Sequence, residues 1–149
     1  MQLKTHLALG IFAAVFFLPH VNNRYIFVPV VLIASLLPDL DSGFTNYSKG
    51  GILSRLSFLS GHRGIFHSFT LCLAAAIIFA LYWPALALPF FLGYGIHLLA
   101  DSWTVEGIKP FWPYQFVLKG RVRDGGVIEG AVFMVFGILS IIFFILLFV

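Results

Sequence analysis

"ALALPFFLGYGIHLLAD", residues 85–101, decides how the chain is to be read. It is an apolar run of nearly membrane-spanning length that ends in a histidine and an aspartate. His97 and Asp101 are four apart, so a helix puts them on one face, one above the other. Ionisable groups at the end of so apolar a helix are costly in lipid, and their default reading is functional, with a partner to be named.

The rest of the chain supports lipid as the solvent. Of its 149 residues 60% are hydrophobic and 10% charged, with a mean hydropathy of +1.01. Soluble domains carry roughly 25% charged residues. The length suits a single integral-membrane domain over 1–149. One cysteine, Cys72, excludes an internal disulfide and any cysteine-type zinc site, so a metal would be held by histidine and carboxylate. The net charge is +3. The basic residues lie in the connections and form no stripe that tracks a phosphate backbone, so nucleic acid is not expected.

Five apolar segments stand out: Leu7–Leu18 (reaching back to Leu3 if His6 is accepted), Tyr25–Leu37, Ile65–Trp83, Ala85–Ala100 and Val127–Val149. A spanning helix needs about 20 apolar residues. The third and fifth segments reach or approach that alone, and the others recruit flanking polar residues. The second is the weakest. Lys4 before an apolar run resembles a signal peptide, but no small-x-small cleavage site follows, so a retained first helix is expected. If all five cross, Lys4, Lys49, Arg55, Arg63, Lys109, Lys119, Arg121 and Arg123 share one side, and Arg24 stands alone on the other. That bias predicts a cytoplasmic N-terminus and an external C-terminus in the inner or plasma membrane. The fold class expected is therefore all-α, a polytopic bundle of about five transmembrane helices plus a short interfacial helix. The interfacial helix comes from "GGILSRLSFL", residues 50–59, whose Ile52, Leu53, Leu56 and Leu59 recur at helical spacing. "KPFWPYQFVLKGRVRDGG", residues 109–126, opens with an aromatic cluster of the interfacial type and continues into a basic stretch.

On that topology the ionisable groups sort to one face. His6 lies early in the first segment. Asp39 and Asp41 follow the second, where Pro38 is expected to stop the helix. His62 precedes the third segment and His67 is in its first turn. His97 and Asp101 end the fourth, and Glu129 opens the fifth. Only His20 falls on the other side. Taken singly, each has a plainer reading. Asp39 and Asp41 would cap a loop, His62 and His67 would form a pH-sensitive interfacial pair, and Glu129 would favour the positive end of its helix dipole. Gathered together they favour a metal site. Four imidazoles with three or four carboxylates exceed one tetrahedral ion, so two or more divalent ions are expected, zinc first, with manganese or iron as alternatives. Such a site polarises phosphoryl oxygens and activates water, and Arg63 would brace a phosphate, although an interfacial arginine also snorkels to headgroups.

"KTHLALG", "LLPDLD", "HRGIFHS" and "HLLAD", in this order, resemble the membrane-bound metal-dependent hydrolases, also described as LexA-binding, inner-membrane-associated hydrolases. The resemblance runs from about residue 3 to Glu129 and implies that His6, Asp39, Asp41, His62, His67, His97 and Asp101 are the shared polar residues. That family is distantly similar to zinc-dependent phospholipase C, which implies a phosphoester or lipid substrate; this is a fold-level analogy. The family usually has a small or hydroxyl residue where this chain has Phe66. Lipid phosphatases that use a phosphohistidine need an arginine shortly before the second histidine. Phe90, Phe91, Leu92 and Gly93 occupy that stretch, which excludes them.

The function expected is membrane-embedded, metal-dependent hydrolysis of a phosphoester, with a lipid headgroup as one substrate class. Asp39, Asp101 and Arg63 are the candidate catalytic residues, and which carboxylate takes the proton stays open. The alternative is a non-catalytic metal-binding scaffold, or a metal or proton carrier. A carrier needs polar groups near midplane and on both sides. Membrane lipid is the expected partner, and the oligomeric state is not readable from the sequence.

Overall fold

The structure is a computed structural model that describes residues 1–39 and 65–147. Asp41, His62, Arg63 and the expected interfacial helix lie outside the described residues.

Five α-helices order the described chain: α1 (Leu3–Phe17), α2 (Arg24–Ala34), α3 (Phe69–Tyr82), α4 (Pro84–Ser102) and α5 (Val127–Leu146). There is no strand among the described residues, only two isolated bridges in the segment after α4. The bundle is all-α, as expected. α4 is its centre and packs against α2, α3 and α1, while α5 packs on α1.

Small residues set these approaches. A Cβ at Gly93 would come within 2.3 Å of the Val31 carbonyl oxygen and 2.9 Å of Ala34 Cβ, so α4 and α2 meet backbone to backbone. A Cβ at Gly10 would come within 2.5 Å of Ser35 Oγ, which seats α1 on the end of α2. In lipid, helices gain little from hiding apolar surface and associate by close packing, which small residues permit. Ala8, Ala13 and Ala14 of α1 are buried accordingly, whereas Leu3, Leu7 and Ile11, four apart, point outward. On α5, Met134, Ile138, Ile141 and Ile145 form an exposed stripe, and only 11% of its apolar window is buried.

Two boundaries depart from the sequence reading, and a third settles at the earlier of the starts it allowed. α1 does begin at Leu3. α2 ends at Ala34, ahead of Pro38: Ser35 and Leu36 form a turn, and residues 37–39 resume helical backbone. Pro38 therefore does not stop the helix. It sits where a new turn starts, and there its missing N–H costs nothing. Asp39 is on helical backbone, with its N–H donating to the Leu36 carbonyl at 3.2 Å, and not in an irregular turn. Ser68 shortens the third segment. Its Oγ donates to the Ile65 carbonyl (2.6 Å) and accepts from the Leu71 N–H (3.2 Å), capping α3 behind a 3₁₀ turn over Ile65–His67. His67 is thus in that turn and not in the helix. α3 has 14 residues, short of the spanning length expected of it. Among the described residues, Leu3–His20, Pro84–Ser102 and Val127–Leu146 are the helices long and apolar enough to cross a membrane.

Candidate metal centre

α1 begins, α2 ends and α4 ends at one level of the bundle, and the 3₁₀ turn before α3 arrives at the same place. His6, Asp39, His67, His97 and Asp101 converge there. His6 and His97 are completely buried, Asp101 and His67 nearly so, and the Asp39 side chain is 28% exposed. Asp39 is therefore the edge at which the group meets its surroundings.

The three imidazoles aim Nε2 at the two carboxylates. His6 Nε2 is 3.3 Å from Asp101 Oδ1 and 3.9 Å from Asp39 Oδ2. His97 Nε2 is 3.6 Å from Asp39 Oδ1 and 3.7 Å from Asp101 Oδ2. His67 Nε2 is 3.8 Å from Asp39 Oδ1 and 3.6 Å from Asp101 Oδ2. These separations exceed hydrogen-bond length. They approach the roughly 3.4 Å between two ligand atoms that share a tetrahedral ion at about 2.1 Å from each. The His6 and His97 rings stack with centroids 3.8 Å apart and 15° between planes, and the His67 ring stands edge-on to His97 at 5.5 Å.

The proton on His97 can be located by chemistry. Its Nδ1 lies 2.8 Å from the Ser35 carbonyl oxygen. A carbonyl only accepts, so Nδ1 donates and carries the hydrogen. The neutral ring then presents a lone pair at Nε2 towards two carboxylates, themselves acceptors. Such an arrangement calls for a cation between them. His6 Nδ1 and Nε2, His67 Nδ1 and His97 Nε2 are buried without a hydrogen-bond partner among the described residues. One ligand atom from each of His6, Asp39, His97 and Asp101 fits within 4.8 Å of all the others. Orphaned nitrogens, paired carboxylates and compact spacing together fit a divalent ion.

The surroundings fix these side chains. The Tyr94 hydroxyl donates to the Phe66 carbonyl at 2.5 Å, tying the turn that carries His67 to α4. The Phe69 N–H donates to the Pro110 carbonyl (2.9 Å), securing the same turn from the other side. Asp101 Oδ1 also accepts from the Met1 amine at 2.7 Å, and the Thr104 hydroxyl donates to the Asp101 carbonyl at 2.8 Å. Phe66, the bulky residue where the resembled family has a small or hydroxyl one, is exposed.

Glu129 stands apart from the group, a correction to its reading as a ligand. Oε1 accepts from the Gln2 N–H (2.5 Å) and the Thr5 hydroxyl (2.9 Å), and Oε2 from the Gly125 N–H (2.5 Å). The carboxylate closes the open end of α1, where backbone N–H groups lack helical partners, and joins it to the start of α5. His20 is exposed at the far end of α1. Sequence reasoning missed Ser35, Thr5, Tyr94 and Thr104. For Tyr94 and Thr104, a hydroxyl three residues from His97 or Asp101 is the signal that points to them.

The chain has relatives among known proteins. It is 34% identical over 103 residues to "Inner membrane protein YdjM" of Escherichia coli (strain K12), covering 60% of this chain and 50% of the relative, and it matches the Shigella flexneri protein of that name equally. It is 35% identical over 98 residues to "Uncharacterized protein YvsG" of Bacillus subtilis (strain 168), covering 60% of this chain and 61% of the relative. The chain thus spans about half to three-fifths of the length of the curated relatives it matches. No solved structure matches it. The YdjM inner membrane protein family matches residues 1–148, nearly the whole sequence. With three helices among the described residues long and apolar enough to cross a bilayer and a buried His/Asp group able to hold a metal ion, the chain belongs to the YdjM inner membrane protein family and is a membrane protein.

Proposed function

We propose that the protein is a membrane-embedded, metal-dependent hydrolase acting on a phosphoester, with a lipid headgroup as one substrate class. The observation that carries this is the trio of imidazole Nε2 atoms directed at two carboxylates from 3.3–3.9 Å, with those of His6 and His97 buried and unpartnered. His6, Asp39, His97 and Asp101 would hold a first ion, with His67 at the same carboxylates. Asp41, His62 and Arg63 enter on the sequence resemblance alone. Zinc suits this donor set best, with manganese or iron next. When bound, the ions would supply Lewis acidity to the phosphoryl oxygens and lower the pKa of water. The chain's own part is to hold and orient. The Ser35 carbonyl keeps His97 in place. Asp39, the partly exposed carboxylate, lies at the edge of the group, and Asp39 or Asp101 would accept the proton.

The near-complete burial of His6, His97 and Asp101 favours a second reading, a metal-binding scaffold, because structural metal sites are closed and catalytic ones keep an open position. We also infer that all five helices cross, with the metal group on the cytoplasmic face and the C-terminal end outside. Support comes from the alternation: α1 and α5 start at the level where α2 and α4 end, and the basic residues cluster there. α2 and α3 are short, and their flanking turns would lie inside the bundle, where irregular backbone is tolerated.

Elemental analysis of purified wild type, His67→Ala and Asp101→Ala, paired with hydrolysis assays on soluble phosphoesters and on phospholipid vesicles, tests the proposal. Two or more equivalents of metal in the wild type, lost in both variants together with turnover, is the expected result. Bound metal with no turnover on any phosphoester selects the scaffold, and less than half an equivalent throughout removes both. A reporter fused after Val149 should be active only outside the cytoplasm.

A further inference from the structure

The segment between α4 and α5, Trp103 to Gly126, is a folded clasp. The Ile108 and Leu118 backbones exchange hydrogen bonds of 2.8 and 2.9 Å, and Val122 exchanges bonds of 2.9 Å with Val105 and Trp103. Two glycines allow the arms to close this tightly. Gly107 has φ +69°, and a Cβ there would sit 2.4 Å from the Leu118 carbonyl oxygen; at Gly120 it would sit 2.3 Å from that of Trp103. One side of the clasp plugs the bundle. Ile108 is buried among Cys72, Tyr94 and Leu98, and the buried Thr104 links Asp101 to the Gly107 N–H.

The other side is apolar and uncovered. Trp103 (59%), Phe111 (59%), Tyr114 (75%) and Phe116 (56%) are exposed, as is Val105. The same segment carries Lys109, Lys119, Arg121 and Arg123 against Glu106 and Asp124, and the last three basic residues are exposed. In water, so large an apolar face would be a liability. The clasp leaves one helix of spanning length and enters another, however, so both its ends lie at the bilayer surface.

We propose that this clasp is a lipid-docking surface. Its aromatic side chains insert at headgroup depth, and Lys119, Arg121 and Arg123 draw anionic phospholipid to the rim of the metal group. The charge balance selects an anionic bilayer over a neutral one, because basic residues near a surface are held by the negative potential of acidic lipids. Aromatic rings with a polar edge suit the interface itself. The inference does not require the metal group to be catalytic.

The test uses the full chain with Trp83→Phe, leaving Trp103 and Trp112 as reporters, reconstituted in vesicles. Tryptophan quenching is compared for phosphatidylcholine and phosphatidylglycerol brominated high or low on the acyl chain, at equal mole fraction. Shallow bromine should quench more than deep bromine. Brominated phosphatidylglycerol should quench about twofold more than brominated phosphatidylcholine, an excess that falls with salt. Changing Lys119, Arg121 and Arg123 to serine should equalise the two lipids while circular dichroism stays unchanged. Equal quenching by both lipids in the parent protein would overturn the proposal without any variant. So would quenching by aqueous acrylamide but not by lipid. Lipid quenching that emerges only as the protein is diluted in lipid would mean that a second copy covers the face, which also overturns it.

Discussion

The end of the bundle that carries His6, His97 and Asp101 and the outer face of α5 are built on opposite rules. At the first, imidazoles, carboxylates, Thr5 and Ser35 are buried together with Leu98 and Ile108, and Gly10 lets α1 approach closely. At the second, what is exposed is large and apolar: Met134, Ile138, Ile141 and Ile145. A soluble protein would invert both. The difference teaches that lipid removes the penalty for exposed methyl groups and raises the one for an unanswered polar atom. A buried polar side chain in this protein therefore marks where chemistry occurs, whereas an exposed apolar one marks only the lipid face.

The comparison breaks most sharply at Asp101. Asp101→Ala leaves the Met1 amine and three imidazoles without their shared carboxylate, and removing one partner from a buried ionic group costs about 3–5 kcal/mol. Reversible unfolding in mixed micelles should show this loss, together with loss of bound metal. Gly93→Ala tests the close approach. Its Cβ would meet the Val31 carbonyl at 2.3 Å, a backbone atom that cannot swing aside, and overpacking of this kind costs ~1–3 kcal/mol. Equal stability of Gly93→Ala and wild type would mean that α2 and α4 are farther apart than described.

Smaller effects sharpen the contrast. Glu129→Gln keeps an acceptor but loses the charge that three donors address, so about 1 kcal/mol of stability should go. Metal content at saturating zinc should be unchanged, which separates Glu129 from the ligands; halved stoichiometry would return it to them. Ile141→Ala, on the lipid face, should shift stability by less than about 0.5 kcal/mol in the same assay.

Much of this was legible in the sequence because lipid imposes so few options. Apolar runs gave the helices to within a few residues, and the four-residue spacing of His97 and Asp101 gave their common face. Placing the ionisable groups on alternating helices brought His6, Asp39, His67, His97 and Asp101 to one level, where the structure has them. What was not legible has specific causes. A backbone carbonyl leaves no mark in a sequence, so the Ser35 oxygen behind His97 could not be seen. A proline reads equally as the end of one helix or the first turn of the next, and Pro38 is the latter. A carboxylate opening a helix serves as ligand or as cap, and the hydrogen bonds from Gln2, Thr5 and Gly125 make Glu129 the cap. Ser68, a hydroxyl inside an apolar run, shortened α3 because its side chain competes for backbone partners.

The break in α2 after Ala34 reaches further than its own geometry. Had the helix run on regularly, the Asp39 N–H would bond the Ser35 carbonyl; it bonds that of Leu36 instead, and His97 Nδ1 takes the freed oxygen. The tautomer of a ring on one helix is thus written by the backbone torsions of another. Straightening the turn at Ser35 and Leu36, neither of which would bind the ion, would release that hydrogen to migrate across the imidazole, so the readiness of this centre to bind a cation can be retuned through its supporting backbone.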